Sequence, residues 1–358
     1  MNIVFLVNAL EGGGAERVVL TLVEGFVKEK HTVHLILVYK DDSYQLPNNV
    51  NVYYLLNKKP LGLINKTLSI FRASQQLKKV LKTVSDTKDI DLFTSHLPLS
   101  NYIAWIAGIS NHYAVIHSAY SKKYTSYIKK NIIAKIHKNK KLITVSDGVK
   151  KDLIKNFDLE TNNITTIYNP FDIATIKKES SEVVEYDIPY IIHVGRLTKL
   201  KRHDLLIKAY SKSLLSKSHN LLLLGDGEEK ENILSLIDEL KLNDKIILLG
   251  WKKNPYKWIN KASLLLLTSD YEGLPTVLIE SLISKTPIVS VDCDYGPNEI
   301  LTGNLTPFLV PTNNKEELTS IMDKAILNYP KITEEMYEKF SVKNTIDKYI
   351  KLSIKGLE

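Results

Sequence analysis

The sequence predicts an α/β fold of two doubly wound, Rossmann-like domains facing each other across a cleft. Three observations carry that expectation. Short β-branched runs alternate with longer helical patterns along the whole chain. The runs are near-continuously apolar, as strands of a parallel sheet covered on both faces must be. The alternation lapses once, near the middle, and then restarts. A chain of 358 residues suits two domains, each large enough to bury a core.

The first series places strands at 3–7, 33–39, 50–55, 92–95, 113–117, 142–145 and 164–168. A polar stretch at 173–187, dominated by Lys, Glu and Ser, reads as the linker. The second series runs 190–194, 220–224, 246–249, 263–267, 287–291 and 308–310. Helical patterns at 15–30, 203–216, 228–240 and 315–328 lie between strands or close the series, and a last one spans 333–355. The expected division is therefore 1–178 and 188–332, with a closing helical segment 333–358 able to cross back to the N-terminal domain.

Composition narrows the function classes. With 44% hydrophobic and 25% charged residues the chain is neither collagen-like, disordered nor a disulfide scaffold. One cysteine, Cys293, excludes an intrachain disulfide and a cysteine zinc cluster, and a reducing, cytoplasmic setting is expected. No apolar run reaches about 18 residues, and the start lacks a signal-peptide pattern. The net charge of +8 is uneven: residues 1–180 hold 25 Lys and Arg against 15 Asp and Glu, whereas residues 181–358 hold 23 against 25.

Doubly wound sheets bind ligands outside the C-terminal strand ends, so the chemistry is sought there. After the first strand comes Gly12-Gly13-Gly14-Ala15-Glu16-Arg17, then a helix. Glycines let backbone approach an anion, and the helix N-terminus adds N–H groups and a positive dipole end. A tight strand-to-helix turn is the other use of such a loop. Dinucleotide binding fits poorly: Gly12-x-Gly14-x-x-Arg17 lacks the third glycine, although Asp41 stands where a ribose acid is needed, and Glu11 and Glu16 oppose a pyrophosphate.

In the second half, strand 190–194 ends in Gly195-Arg196-Leu197-Thr198-Lys199-Leu200-Lys201-Arg202. Four cations within seven residues repel one another unless an anion joins them. Arg196 offers a planar fork for phosphate oxygens and Lys201 a mobile point charge. Gly225-Asp226-Gly227 closes the next strand and reads equally well as a plain loop. The strongest run is Ser269-Asp270-Tyr271-Glu272-Gly273-Leu274-Pro275-Thr276-Val277-Leu278-Ile279-Glu280. Pro275 suits a first helical turn, which would leave N–H groups from Leu274 and Thr276 onward pointing outward. Glu280 sits in an apolar run, where an unpaired charge is costly.

Gly195-Arg196-x4-Lys201 with Glu272-x7-Glu280 resembles the retaining nucleotide-sugar glycosyltransferases of family 4, with the GT-B fold. The glycine loop, Val145-Ser146-Asp147-Gly148, Asn169-Pro170, Gly250-Trp251 with Asn254-Pro255, and Gly296-Pro297-x-Glu299 extend the resemblance over almost the whole chain. It implies an acceptor-side N-terminal domain and a donor-binding C-terminal one. Arg196 and Lys201 would neutralise the donor diphosphate, and Glu280 would hold the ribose. Glu272 would hold the transferred sugar, and Gly273, Leu274, Pro275 and Thr276 would line the phosphates. Gly13 and Gly14 would close over the sugar-phosphate, Trp251 and Lys252 would flank the base, and His117 would face the donor sugar. The implied reaction retains the anomeric configuration, the leaving phosphate taking the acceptor proton, with neither metal nor cofactor. The nucleotide-sugar is a co-substrate, with UDP-hexose or UDP-N-acetylhexosamine expected. Asp292-Cys293-Asp294 is formally a metal motif of another glycosyltransferase fold, set in the wrong context.

Two segments without acidic residues, 43–85 and 92–146, carry the basic surplus. Lys122, Lys123, Lys129 and Lys130 alternate with Tyr and Ile, and Lys58 and Lys59 precede a second Lys- and Leu-rich stretch. Such surfaces suit anionic lipid or a polyprenyl-diphosphate acceptor. No nucleic-acid module accompanies the charge. A lipid-linked glycan acceptor, an anionic membrane surface and peripheral attachment at the cytoplasmic face complete the expectation, with products in lipopolysaccharide or other polysaccharide biosynthesis.

Overall fold

Strand β1 (Asn2–Val7) is buried at all six positions, which only a sheet covered on both faces allows. In the computed structural model, residues 1–10, 13–40, 46–60, 62–109 and 111–355 are described. They divide into two units, Met1–Phe171 with Phe340–Glu358, and Asp172–Lys339.

The first unit adds β2 (Thr32–Tyr39), β3 (Asn51–Leu56), β4 (Leu92–His96), β5 (Tyr113–Ile116), β6 (Lys141–Thr144) and β7 (Ile164–Thr166). All pair in parallel, in the order β3-β2-β1-β4-β5-β6-β7. Parallel crossovers are usually helical, and apart from the β2–β3 connection the sequence supplies helices for them. Helix Gly14–Lys28 buries Val18, Val19, Leu22, Val23 and Phe26 at helical spacing. Helix Asp147–Phe157 starts where the Ser146 hydroxyl accepts from the Val149 N–H at 3.1 Å.

The second unit holds β8 (Tyr190–Val194), β9 (Asn220–Leu224), β10 (Ile246–Gly250), β11 (Leu264–Leu267), β12 (Ile288–Val291) and β13 (Leu309–Val310). Its six parallel strands run β10-β9-β8-β11-β12-β13. Ile191, Leu221, Leu223, Leu264 and Leu266 pack there against Leu206, Ile233 and Met322 from the covering helices. In both sheets the strand order reverses beside the first strand of its series, between β1 and β4 and between β8 and β11. Those are the points where a ligand crevice opens at the carboxyl ends.

Three segments depart from the sequence expectation. The stretch read as a linker opens with helix Ile173–Ser180, capped by the Asp172 carboxylate and anchored by buried Ile176. The pattern at 203–216 is two helices, His203–Tyr210 and Leu215–Ser218, with Ser213 between them donating to Asp323 and accepting from the Leu215 N–H. The closing pattern is likewise broken into Glu335–Glu338 and Val342–Lys355. Between them the chain turns at Phe340 and Ser341 bridges in parallel to Phe171, whose N–H donates to Phe340 O at 2.8 Å. The last helix belongs to the first unit, where Tyr349 meets Phe26 edge-on at 6.4 Å and Leu352 O accepts from the Tyr113 hydroxyl. The unit boundaries therefore fall at 171/172 and 339/340, rather than after 178 and before 333.

Candidate active site

The loops leaving β8 and β11 meet at the second unit's switch point. Backbone bonds stitch them together: the Asp270 N–H donates to Leu200 O at 2.9 Å, and the Thr268 hydroxyl to Lys201 O at 2.8 Å. That register puts Lys201 Nζ 2.6 Å from Glu272 Oε1, in a pair whose side chains are 19% and 13% exposed. The buried Ser269 hydroxyl donates to the same Oε1 at 2.6 Å. The carboxylate is thus oriented by two donors on one oxygen.

The cation cluster is partly self-neutralised. Arg202, in the left-handed region at φ 51°, bonds Asp204, Asp270 and the Asn313 side-chain oxygen. These pairs hold its guanidinium fully charged and draw the Asp204 carboxyl below its usual range against the opposing effect of burial. Lys201 is engaged by Glu272. Arg196 and Lys199 remain exposed, and the Arg196 guanidinium has no partner among the described residues. The Arg196 fork and the Lys199 ammonium are therefore the open charges of this loop among the described residues.

Two glycines let the loops close up. Gly225 has φ +148°, and a Cβ there would lie 1.9 Å from Gly195 O. The glycine turn that read as a plain loop is thus a brace beneath Gly195 and Arg196. Gly296, at φ +101°, would put a Cβ 2.5 Å from Pro275 Cδ and 3.1 Å from Gly273 O. It seats the turn after β12 against Glu272–Pro275, where the Glu272 N–H also donates to Asp294 O at 3.2 Å.

Helix Thr276–Ile283 follows, with Pro275 at its cap rather than inside the first turn. Gly273, Leu274 and Pro275 are buried and Thr276 half-buried. Glu280, on the second turn, is 5% exposed. Trp251, at the end of β10, presents 68% of its surface, with Lys252 half-buried beside it. A cavity of about 440 Å³ lies at the side of the loop lined by Thr198, Lys199, Arg202 and Asp270. Neither Arg196 nor Glu280 lines it. In the Asp292-Cys293-Asp294 run, Cys293 is buried in the core and both aspartates are exposed. Among the described residues no group of three or more His, Cys, Asp or Glu is placed to hold a metal ion.

In the first unit, Gly13 caps helix Gly14–Lys28 and its N–H donates to Glu16 Oε2 at 2.9 Å. The protein's own carboxylate occupies that donor, whereas Gly14 has open space around its Cα. Glu11, Gly12 and Asp41 lie outside the described residues. His117 follows β5 half-buried, its Nε2 3.1 Å from His96 Nδ1. Burial lowers its pKa to about 4, so the ring is neutral at physiological pH. Lys58, Lys59, Lys122, Lys123 and Lys129 are exposed and Lys130 is half-buried. Large apolar side chains stand among the lysines: Tyr127 is 78% exposed, Ile128 70% and Ile132 52%, all on helix Tyr127–His137. On helix Leu63–Thr87, Phe71 and Leu68 are exposed as well. Among the described residues no helix is long and apolar enough to cross a membrane.

Sequence reasoning gave no role to Ser269, Gly225 or His96. For the first two the signal was present, a hydroxyl three residues before Glu272 and a Gly-x-Gly at a strand end. His96 sits in an ordinary strand pattern that gives no such sign.

Residues 12–175 match the family model described as Glycosyltransferase Family 4, and residues 175–344 the model described as Glycosyl transferases group 1. The chain is 31% identical to the N-acetylgalactosamine-N,N'-diacetylbacillosaminyl-diphospho-undecaprenol 4-alpha-N-acetylgalactosaminyltransferase of Campylobacter jejuni, over 96% of this chain and 98% of that one. It is 25% identical to the lipopolysaccharide 1,6-galactosyltransferase of Escherichia coli K12, over 91% and 89%. Among solved structures it resembles Anabaena HepE in complex with UDP, with a TM-score of 0.77 at 18% identity, covering 98% and 99%. That likeness shows the two-domain GT-B fold.

Proposed function

This chain belongs to the family 4 glycosyltransferases of GT-B fold, and on that premise we propose that it moves a sugar from a UDP-hexose or UDP-N-acetylhexosamine to a hydroxyl of a lipid-linked glycan. The observation that carries the donor site is the Lys201–Glu272 pair at the β8/β11 switch point, with the unpartnered Arg196 on the same loop. Arg196 and Lys201 take the diphosphate oxygens, assisted by the backbone of Gly273–Thr276 at the helix start. Glu272, with Oε1 committed to Lys201 and Ser269, offers Oε2 to the sugar hydroxyls. Glu280 takes the ribose hydroxyls, and Trp251 and Lys252 flank the base. In the first unit Gly14 meets ligand by its backbone, Gly13 does so when its N–H exchanges Glu16 for the ligand, and His117 does so by its ring.

The reaction retains the anomeric configuration. The bond from the anomeric carbon to the phosphate oxygen breaks, and the acceptor oxygen bonds from the same face. Same-face attack by the acceptor itself leaves no step for a side-chain nucleophile; its proton passes to the departing phosphate, which serves as the base, and Arg196 and Lys201 meet the phosphate charge in place of a metal. The protein's part is positioning and stabilisation of phosphate charge.

Thermal unfolding against UDP, GDP, ADP and NAD tests the donor site. UDP at about 100 times its dissociation constant should add roughly 2.7 kcal/mol of stability. Glu280→Ala and the volume-conserving Glu280→Gln should both lose the shift. A GDP-selective shift changes the donor, and a shift with NAD alone ends this reading.

The proposal extends to the acceptor's surroundings. Tyr127, Ile128 and Ile132 among lysines suit the headgroup region of an anionic bilayer at the cytoplasmic face, where each well-placed cation contributes about 1 kcal/mol. The protein should float with liposomes containing anionic lipid and remain below with neutral ones. Ile128→Glu with Ile132→Glu should abolish flotation; failure to float with anionic liposomes would refute the attachment, and equal flotation with neutral ones would refute the part given to the lysines.

A further inference from the structure

The period of a strand sets Thr94 and His96 on one face of β4, both fully buried. His96 is in register with Val115 of β5, so His117, two residues on, emerges on that same face. The side chains form one line of hydrogen bonds. Thr94 Oγ1 is 3.0 Å from His96 Nε2, and His96 Nδ1 is 3.1 Å from His117 Nε2. The Phe5 ring lies 5.8 Å from the His96 ring and keeps that end of the line apolar. The line lies at the C-terminal end of β4, beside the β1/β4 switch point of the first unit.

The line has a direction. Within the described residues the Thr94 hydroxyl has no hydrogen-bond partner but His96. In a dry site an unpaired hydroxyl proton is costlier than an unused lone pair. Thr94 therefore donates to His96 Nε2, which leaves the His96 proton on Nδ1. His96 in turn donates to His117 Nε2, and His117 carries its proton on Nδ1, the nitrogen free for a ligand. Burial keeps both rings neutral, so neither has a second proton to reverse the order.

We propose that His96 is a positioning residue, directed by Thr94, which holds His117 in the Nδ1–H tautomer so that His117 meets its ligand as an uncharged hydrogen-bond donor. The inference rests on the reading of His117 as a ligand contact. The group opposite is then an acceptor oxygen, of a sugar hydroxyl or a phosphate, and an N–H donor is refused there.

Two-bond ¹H–¹⁵N spectra of the labelled full-length protein at pH 7.5 read the tautomers directly, with His117→Gln and His96→Asn assigning the rings. Both are expected as Nδ1–H, and His117 as Nε2–H would overturn the proposal. In assays, His96→Phe should lower kcat/KM at least about tenfold, as losing a histidine's orienting partner does, with the UDP stabilisation unchanged. His96→Asn, which places an amide N–H near the Nδ1 position, should recover most of the loss. Equal loss in the two variants would make His96 a packing residue and overturn its role. If His96→Phe does not fold, the wild-type spectra decide. Near-normal turnover in His117→Ala would refute instead the premise that His117 contacts ligand, whatever the tautomer.

Discussion

Lys201→Ala is expected to lower kcat by about 10²–10³, with a smaller rise in the KM of the donor. That is the range for removing one preorganised group aimed at developing charge, and the β-phosphate gains charge only as the sugar departs. The same variant disturbs the resting protein, because Glu272 Oε1 loses the ammonium 2.6 Å away and keeps only Ser269. With Glu272 just 13% exposed, the loss of that partner should cost about 1–3 kcal/mol of stability. Activity and stability are separable in the double variant Lys201→Ala/Glu272→Gln, which removes the stranded charge. It should regain stability and remain inactive. Lys201→Arg should recover little, since a planar fork cannot replace a compact ammonium beside Gly195 and Glu272. Steady-state kinetics with the best UDP-sugar and denaturant midpoints for the four proteins supply both readings. Near-normal turnover in Lys201→Ala would remove Lys201 from the mechanism.

The strands were legible because each is a short apolar run bounded by polar turns, and a parallel sheet buried on both faces demands that signature. Where the pattern was misread, a tertiary contact stands at the break. Ser213, between its two helices, bonds Asp323, 110 residues away, and Ser341, between the last two, bridges to Phe171. The stretch 173–187 lacked periodicity, yet the Asp172 cap and one buried side chain, Ile176, suffice for its opening helix.

At the candidate site, Arg196, Lys201 and Glu272 were legible as charged residue types beyond strand ends, and Glu280 as a charge inside an apolar helical run. The pairing of Lys201 with Glu272 was not, because it spans 71 positions and exists only where the sheet order sets β8 beside β11. The same holds for His96. Its significance comes from register with a neighbouring strand, which no local pattern encodes.

Stability is expected to fall steeply as the pH drops from about 6.5 toward 4.5, through buried neutral histidines. Burial lowers the pKa of His112, His117 and His203 to about 4 in each case, the last helped by neighbouring Lys201. His96 and His193 are pushed well below the usual value, first by burial and then by a neighbouring histidine. Unfolding restores the ordinary value near 6.5, so between the two values the unfolded chain binds protons that the folded chain refuses. Each such histidine stabilises the fold fully above pH 6.5 and loses about 1.4 kcal/mol of that contribution per pH unit below it. Against the 5–15 kcal/mol of a typical domain, three of them in one unit remove about 6 kcal/mol by pH 5, enough to unfold a domain at the lower end of that range. The carboxylates do not confuse this window. Asp204, whose pKa is lowered, costs stability only below its unfolded value, and Asp292, whose pKa is raised, works in the opposite sense. Both units should respond, since His112 lies in the first and His203 in the second. Urea midpoints at pH 7.5, 6.5, 5.5 and 5.0 should decline progressively, and His112→Asn and His203→Gln should each flatten the slope by up to one proton. A midpoint that holds or rises down to pH 5 would mean that these rings are charged, or solvated, in the folded protein.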